Sequence, residues 1–265
     1  MTQSYISLRF EQIEKRFSEI ELLLNLAKDN YEKVDLYQTL CRSAHVLLIS
    51  HFEGLYKEIC KDILDDINSN TNFSQVPKNI LQTHCDYFIQ NKSEEKSAHL
   101  VRKKLIDAFK DFPSNLKIEP FLFVDNKNPT PTIIEIILER FGIVNFFWSL
   151  MDSDLDVVFQ NLKRETQRLK NKLFKYVRKT TMYYPYTADK SIYNPIKKID
   201  QPKTKTLWEE FLNNLLKQRH NIVHGHIIDN PINHEALGEA KTKIEILIYV
   251  YIINLCSVSN PLIFI

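Results

Sequence analysis

The run YISLRFEQIEKRFSEIELLLNLAK, residues 5–28, sets Ile6, Phe10, Ile13, Phe17, Ile20, Leu23 and Leu24 three and four positions apart, with charged residues in the gaps. That spacing collects side chains on one face of a 3.6-residue turn, so the run predicts an amphipathic helix that must bury the face against a partner. The next apolar series supplies one. Leu36, Leu40, Val46, Leu47, Leu55, Ile59 and Ile63 keep the same period from about Val34 to Ile67, with Gly54 the single internal break. Two long helices joined by a short polar turn make an antiparallel pair, and the expectation is a helix-rich fold.

Further along, Asn68 to Pro77 reads as a polar loop and Leu100 to Phe109 as a short helix closed by Pro113. Ile118 to Val124 fits a short strand. Pro131 to Arg140 predicts a helix that opens on proline and is stopped by Gly142. Leu207 to Val223 carries Trp208, Phe211, Leu212, Leu215 and Leu216 on one side, with Gly225 as a left-handed stop. A last helix runs from about Ile232 to Ser257, capped by Asn230 or Asn233, and the tail NPLIFI packs back on the bundle.

At 265 residues the chain is long for one ordinary domain and short for two, so a single domain over 1–265 with an insertion is expected. The N-terminus has no secretory pattern. The most apolar run, Ile244 to Ile253, contains Glu245 and is about half the ~20 residues a membrane span needs. Cys41, Cys60, Cys85 and Cys256 are far apart and form no CxxC pair, which argues against a zinc site or redox dithiol and for buried thiols in a reducing cytoplasm. No metal, cofactor or membrane association is expected.

Charge is unevenly placed. Residues 163–206 hold thirteen lysines and arginines against three acids, net +10 in a chain of net +2, so the remainder sums to −8. The same segment contains Tyr176, Tyr183, Tyr184, Tyr186 and Tyr193. Clustered cations bind phosphates and aromatic rings stack on unpaired bases, so Arg168, Lys172, Lys175, Arg178, Lys179, Tyr183 and Tyr184 are candidate RNA contacts. A solvated helix followed by a loop whose tyrosines pack on the bundle is the alternative.

LLKQRHNIVHGH, residues 215–226, concentrates Arg219, His220, His224 and His226 at a helix end. Guanidinium matches phosphate oxygens and stabilises charge developing on them, while imidazole moves protons near neutral pH. RNA carries its own nucleophile, the 2′-hydroxyl, so such a set can cut it without a metal. His220 and His224 face the same way, whereas Arg219 and His224 lie about 140° apart around an ideal helix. They converge if the helix ends there or if two copies face each other. Favourable placement of cations at a helix C-terminus is the alternative explanation. A zinc site from His220, His224 and His226 lacks any carboxylate or cysteine among them and any H-E-x-x-H.

RHNIVHG resembles the R-x4-6-H signature of the HEPN superfamily, with Arg219, four intervening residues and His224. CRSAHVLLISHFEGLYKEI, with Ser50, Phe52 and Glu53, and NPTPTIIEIILERFG are similar to a branch of bacterial HEPN proteins found in defence loci. The resemblance implies an all-α HEPN-like bundle with 163–206 as a basic insertion. It also implies a dimeric, metal-independent endoribonuclease with a composite site built from Arg219 and His224 of both protomers, His220 assisting. Proteins of this kind act as toxins or antiphage effectors, so an antitoxin or defence-system partner protein is a candidate. His226 stands where toxins controlled by a nucleotidyltransferase carry tyrosine, which counts against that mode of control. Glu53 and His226 are secondary candidates. A non-catalytic module that binds nucleic acid or a partner, and a helical scaffold with no nucleic-acid role, are the other readings.

Overall fold

A computed structural model describes residues 2–89, 95–111, 114–122, 128–195, 204–225 and 232–261. Among these the regular structure is helical throughout: α1 (Tyr5–Asp29), α2 (Val34–Asn70), α3 (Lys78–Tyr87), α4 (Glu95–Asp111), α5 (Pro131–Arg140), α6 (Phe146–Ser149), α7 (Lys163–Thr180), α8 (Leu207–Val223) and α9 (His234–Val258), with short 3₁₀ turns at 73–75, 154–159 and 190–193.

α1 buries Ile6, Phe10, Ile13, Phe17, Ile20, Leu24 and Ala27, a strict four-three alternation, against α2. The two run antiparallel, since Arg9 meets Asp62 at 2.6 Å and Glu19 meets His51 at 3.0 Å. α9 runs parallel to α2, because Tyr37 contacts His234 while Cys60 contacts the Tyr251 hydroxyl. α7 runs parallel to α9: Lys163 pairs with Glu239, Lys170 with Glu245, and the Phe174 ring meets Tyr249. One core joins residues of all these helices, including Leu169, Leu173, Val177, Tyr184, Tyr186 and Tyr193 from the basic segment. That segment is therefore a wall of the bundle as well as a charged surface.

Several local signals act as expected. Asn233 caps α9 by accepting from the Ala236 amide at 2.8 Å. Pro131 opens α5 behind the Thr130 cap. Gly142 follows it with φ +87° and lies so close to Asn79 that a Cβ would come within 2.3 Å of that side chain. The strand expected at Ile118 to Val124 does not form. Residues 118–122 make a turn closed by the Phe121 amide on the Ile118 carbonyl at 2.9 Å, and Phe121 is buried against Phe141. A strand needs a neighbouring edge, and among the described residues there is none; 123 and 124 lie outside them. The 100–109 helix begins earlier, at Glu95, and α3 occupies chain not assigned to any element from sequence. Pro113, Asn230 and most of the tail lie outside the described residues. The tail's first part does dock, through paired hydrogen bonds between Asn260 and the Tyr186 backbone at 2.8 and 2.9 Å.

Two buried imidazoles make the fold sensitive to acid. His45 and His84 are 0% and 2% exposed, and burial pushes both below the ordinary histidine range. They stay neutral when folded and become protonated when unfolded, so the unfolded chain binds more protons below its normal pKa of about 6.5. Stability is retained above that pH and falls below it, by up to roughly 1.4 kcal/mol per imidazole at one pH unit lower. Burial raises Asp62 and Asp66, an opposing contribution that belongs nearer the carboxylate range. Urea unfolding should show a lower midpoint at pH 5.5 than at pH 7.5, and His84→Gln should reduce the difference.

Candidate active site

α8 is anchored at its start and bare at its end. Thr206 and Glu209 form a reciprocal capping box at its N-terminus, and Trp208, Leu212, Leu215 and Leu216 are buried. From Arg219 onward no described residue of the helix is buried. α8 leans on α2 and α5. One turn before the motif, Nε2 of His45 in α2 lies 3.0 Å from the Leu215 carbonyl. A carbonyl only accepts, so Nε2 carries the proton and donates, consistent with a neutral ring. His45 thus fixes the turn immediately before Arg219.

Arg219 is half-buried. One Nη lies 3.5 Å from the Asn128 side-chain oxygen, at the entrance to α5. Its Nε is buried with no acceptor among the described residues, and no carboxylate there lies within ion-pair distance of it. His220 and His224 are exposed and meet each other, with ring centroids 4.3 Å apart at 49°. The backbone places them together: the His224 amide donates to the His220 carbonyl at 3.0 Å, making His224 the residue that closes the helix. Gly225 then turns the chain at φ +68° in open space, so its role is conformational and not steric.

The structure brings His220 and His224 together and holds Arg219 on the neighbouring face of the same turn. His226 lies outside the described residues. Glu53 is engaged with Lys57, one helical turn on, at 2.8 Å. Of the candidate RNA contacts, Arg168, Lys172, Lys175, Arg178 and Lys179 are exposed on α7. Tyr183 is 42% exposed, but Tyr184 is 8% exposed and its hydroxyl donates to the Ser259 carbonyl at 2.8 Å. Tyr184 has no free ring face for a base. His45 was missed; a histidine on the stripe Cys41, Ala44, Leu48, Ile49 and Phe52 was the available signal, because a buried polar group requires a partner.

A family model described as RiboL-PSP-HEPN matches residues 11–257. The chain belongs to that family. The match spans α2, the basic helix and the whole of α8 with its R-x4-H, so the all-α HEPN bundle and the motif are found together. HEPN domains are commonly ribonucleases. Among the curated proteins and the solved structures nothing matches this chain. No described helix is long and apolar enough to cross a membrane.

His45→Leu stays close in volume and removes the donor. It should cost about 1 kcal/mol of stability and loosen the end of α8, seen as faster amide hydrogen exchange at 219–224 while α9 is unchanged. Unchanged exchange at 219–224 would show that this contact does not hold the motif.

Proposed function

We propose that this HEPN chain is a metal-independent endoribonuclease. The observation that carries the reading is the end of α8: a guanidinium with no carboxylate partner among the described residues beside two contacting imidazoles, on a turn fixed from behind. One imidazole removes the proton of the RNA 2′-hydroxyl, whose oxygen attacks the adjacent phosphorus. Arg219 neutralises charge accumulating on the non-bridging oxygens. A second imidazole protonates the departing 5′-oxygen, leaving a 2′,3′-cyclic phosphate and a free 5′-hydroxyl. RNA cleavage of this kind suits a toxin or antiphage effector held in check by a partner protein.

The site is completed in a homodimer. Within one chain Arg219 turns to Asn128 while the histidines face each other, so a second motif across a two-fold axis supplies the missing approach to the phosphate. α9 offers little surface for such an interface, since its residues from Ile244 to Cys256 are buried in the protomer's own core. The available surface is a shallow groove lined by Leu23, Arg42, Val46, Leu47 and Ile222, flanked by exposed Leu22 and Val223. Ile222 and Val223 are themselves motif residues, so covering this groove with a second copy brings the two motifs together.

Purified protein in EDTA should cut total RNA to fragments ending in 2′,3′-cyclic phosphate, with His224→Ala and Arg219→Ala each lowering the rate by at least about a hundredfold. Retention of RNA without cleavage by the wild type would instead make the chain a binding module.

Sedimentation tests the assembly. The wild type should be a dimer, and Val46→Glu, which places a charge in the groove, a folded monomer that no longer cuts. A monomeric wild type with full activity would assign the acid and base to His220 and His224 of one chain.

A further inference from the structure

Six of the thirteen cations of the basic segment lie on one face of α7. At 100° per residue, the buried Leu169, Leu173 and Val177 centre the inward side. Arg164, Arg168, Lys172, Lys175, Arg178 and Lys179, all exposed, fall within an arc of about 120° opposite them. Glu165 is the single acid on the helix. Arg168 pairs with it at 2.6 Å and Lys172 approaches Asp154 at 3.6 Å. Such exposed pairs are worth about 0–1 kcal/mol and give way to a phosphate. Arg164, Lys175, Arg178 and Lys179 have no carboxylate within ion-pair distance among the described residues.

What this face lacks is equally informative. Tyr184, Tyr186 and Tyr193 are buried, with hydroxyls on Ser259, Asp66 and Asn254, and Tyr176 is tied to the Asp189 backbone. Stacking on unpaired bases needs a succession of free rings, and of the five tyrosines Tyr183 alone is exposed. The face can grip phosphates and has no platform for bases.

Its direction is fixed by the packing. Lys163 meets Glu239, near the start of α9, which follows the motif in the chain. At the other end Ser4 bonds the carbonyls of Thr181 and Met182, beside the start of α1. From Arg164 to Lys179 is about 22 Å along the axis, leading away from the end of the bundle that carries Arg219 and His224.

We propose that the outer face of α7 is a base-independent track for the RNA backbone, holding the part of the substrate that extends away from the cleaved linkage. It rests on the ribonuclease reading and adds a length requirement: efficient substrates reach along α7, whatever their flanking sequence.

The test compares wild type with Arg164→Gln/Lys175→Gln/Lys179→Gln, three exposed changes outside the motif, on a tetranucleotide and on the same linkage within a long RNA. On the long RNA the variant should show a KM raised about tenfold with kcat unchanged, and a shallower salt dependence, by about 0.7 in log–log slope per lost phosphate contact on a single strand. The rise should be the same with flanks of poly(U) or poly(A), and the tetranucleotide should be cut equally by both proteins. An unchanged KM on the long RNA overturns the track, and a rise confined to one flanking base overturns base independence. If the wild type cuts neither substrate, the ribonuclease reading fails by itself. Fluorescence anisotropy with poly(U) then decides the track: the variant must bind more weakly, and equal affinity overturns it.

Discussion

The second half of α9 has no exposed face. From Ile244 to Cys256 every residue is buried, and a helix that is apolar all round must be enclosed on all sides. α1, α2 and α7 pack along it and the 190–193 turn reaches its later part. The tyrosines after α7 belong to this enclosure. Each offers a large apolar ring together with one hydroxyl needing a partner, and the partners are groups buried by the same packing: Asn254 on α9, Ser259 just past it and Asp66 on α2. The segment is tyrosine-rich because it closes a core, and this removes those rings from any role in base stacking.

The enclosure also orients the charge. Glu245, 6% exposed, lies 3.1 Å from Lys170 of α7 and 3.7 Å from Lys241, which in turn meets Glu21 of α1 at 2.8 Å. Removing one member of such a cluster leaves an uncompensated buried charge, so its value is in fixing which side of α7 faces inward. With Lys163, Lys170, Leu169, Leu173 and Val177 turned to α9, the other six cations of α7 fall on the outer face. The positive charge of α7, eight cations against Glu165 and featureless as a sum, becomes an oriented surface through burial of the opposite side.

Much of this was legible in the sequence. The periods of α1, α2 and α8 are strong because each has one buried face, and α5 and α8 fall on their expected residues because proline, glycine and caps mark their ends. α9 was found by its apolar residues, but its second half, buried on every side, has no periodicity to say which neighbour it needs, so that burial was invisible. The apolar run around Phe121 was ambiguous for a related reason: a buried turn and a short strand are equally apolar, and the presence of a pairing edge decides between them. At the site, the spacing of Arg219, His220 and His224 identified the motif. His45, 170 residues away in sequence from the carbonyl it binds, gave only the local sign of a polar residue in an apolar stripe.

The placement of the motif argues for chemistry over simple helix termination. Cations at a helix C-terminus are favoured by about 0.3–1 kcal/mol whatever their purpose, so an arginine there needs no functional cause if it caps its own carbonyls. Arg219 does not do this. Its polar contact is Asn128, 91 residues away, and its buried Nε has no acceptor among the described residues. A guanidinium held in place, with no carboxylate against it among the described residues, keeps its capacity for an anion. The rear of its helix is locked by Trp208, Leu212, Leu215 and the His45 contact, which limits drift of the exposed turn. Side chains that are accessible yet carried on a fixed element are what proton transfer to and from a bound phosphodiester demands, and the last turn of α8 provides them at the end of the bundle from which the α7 face leads away.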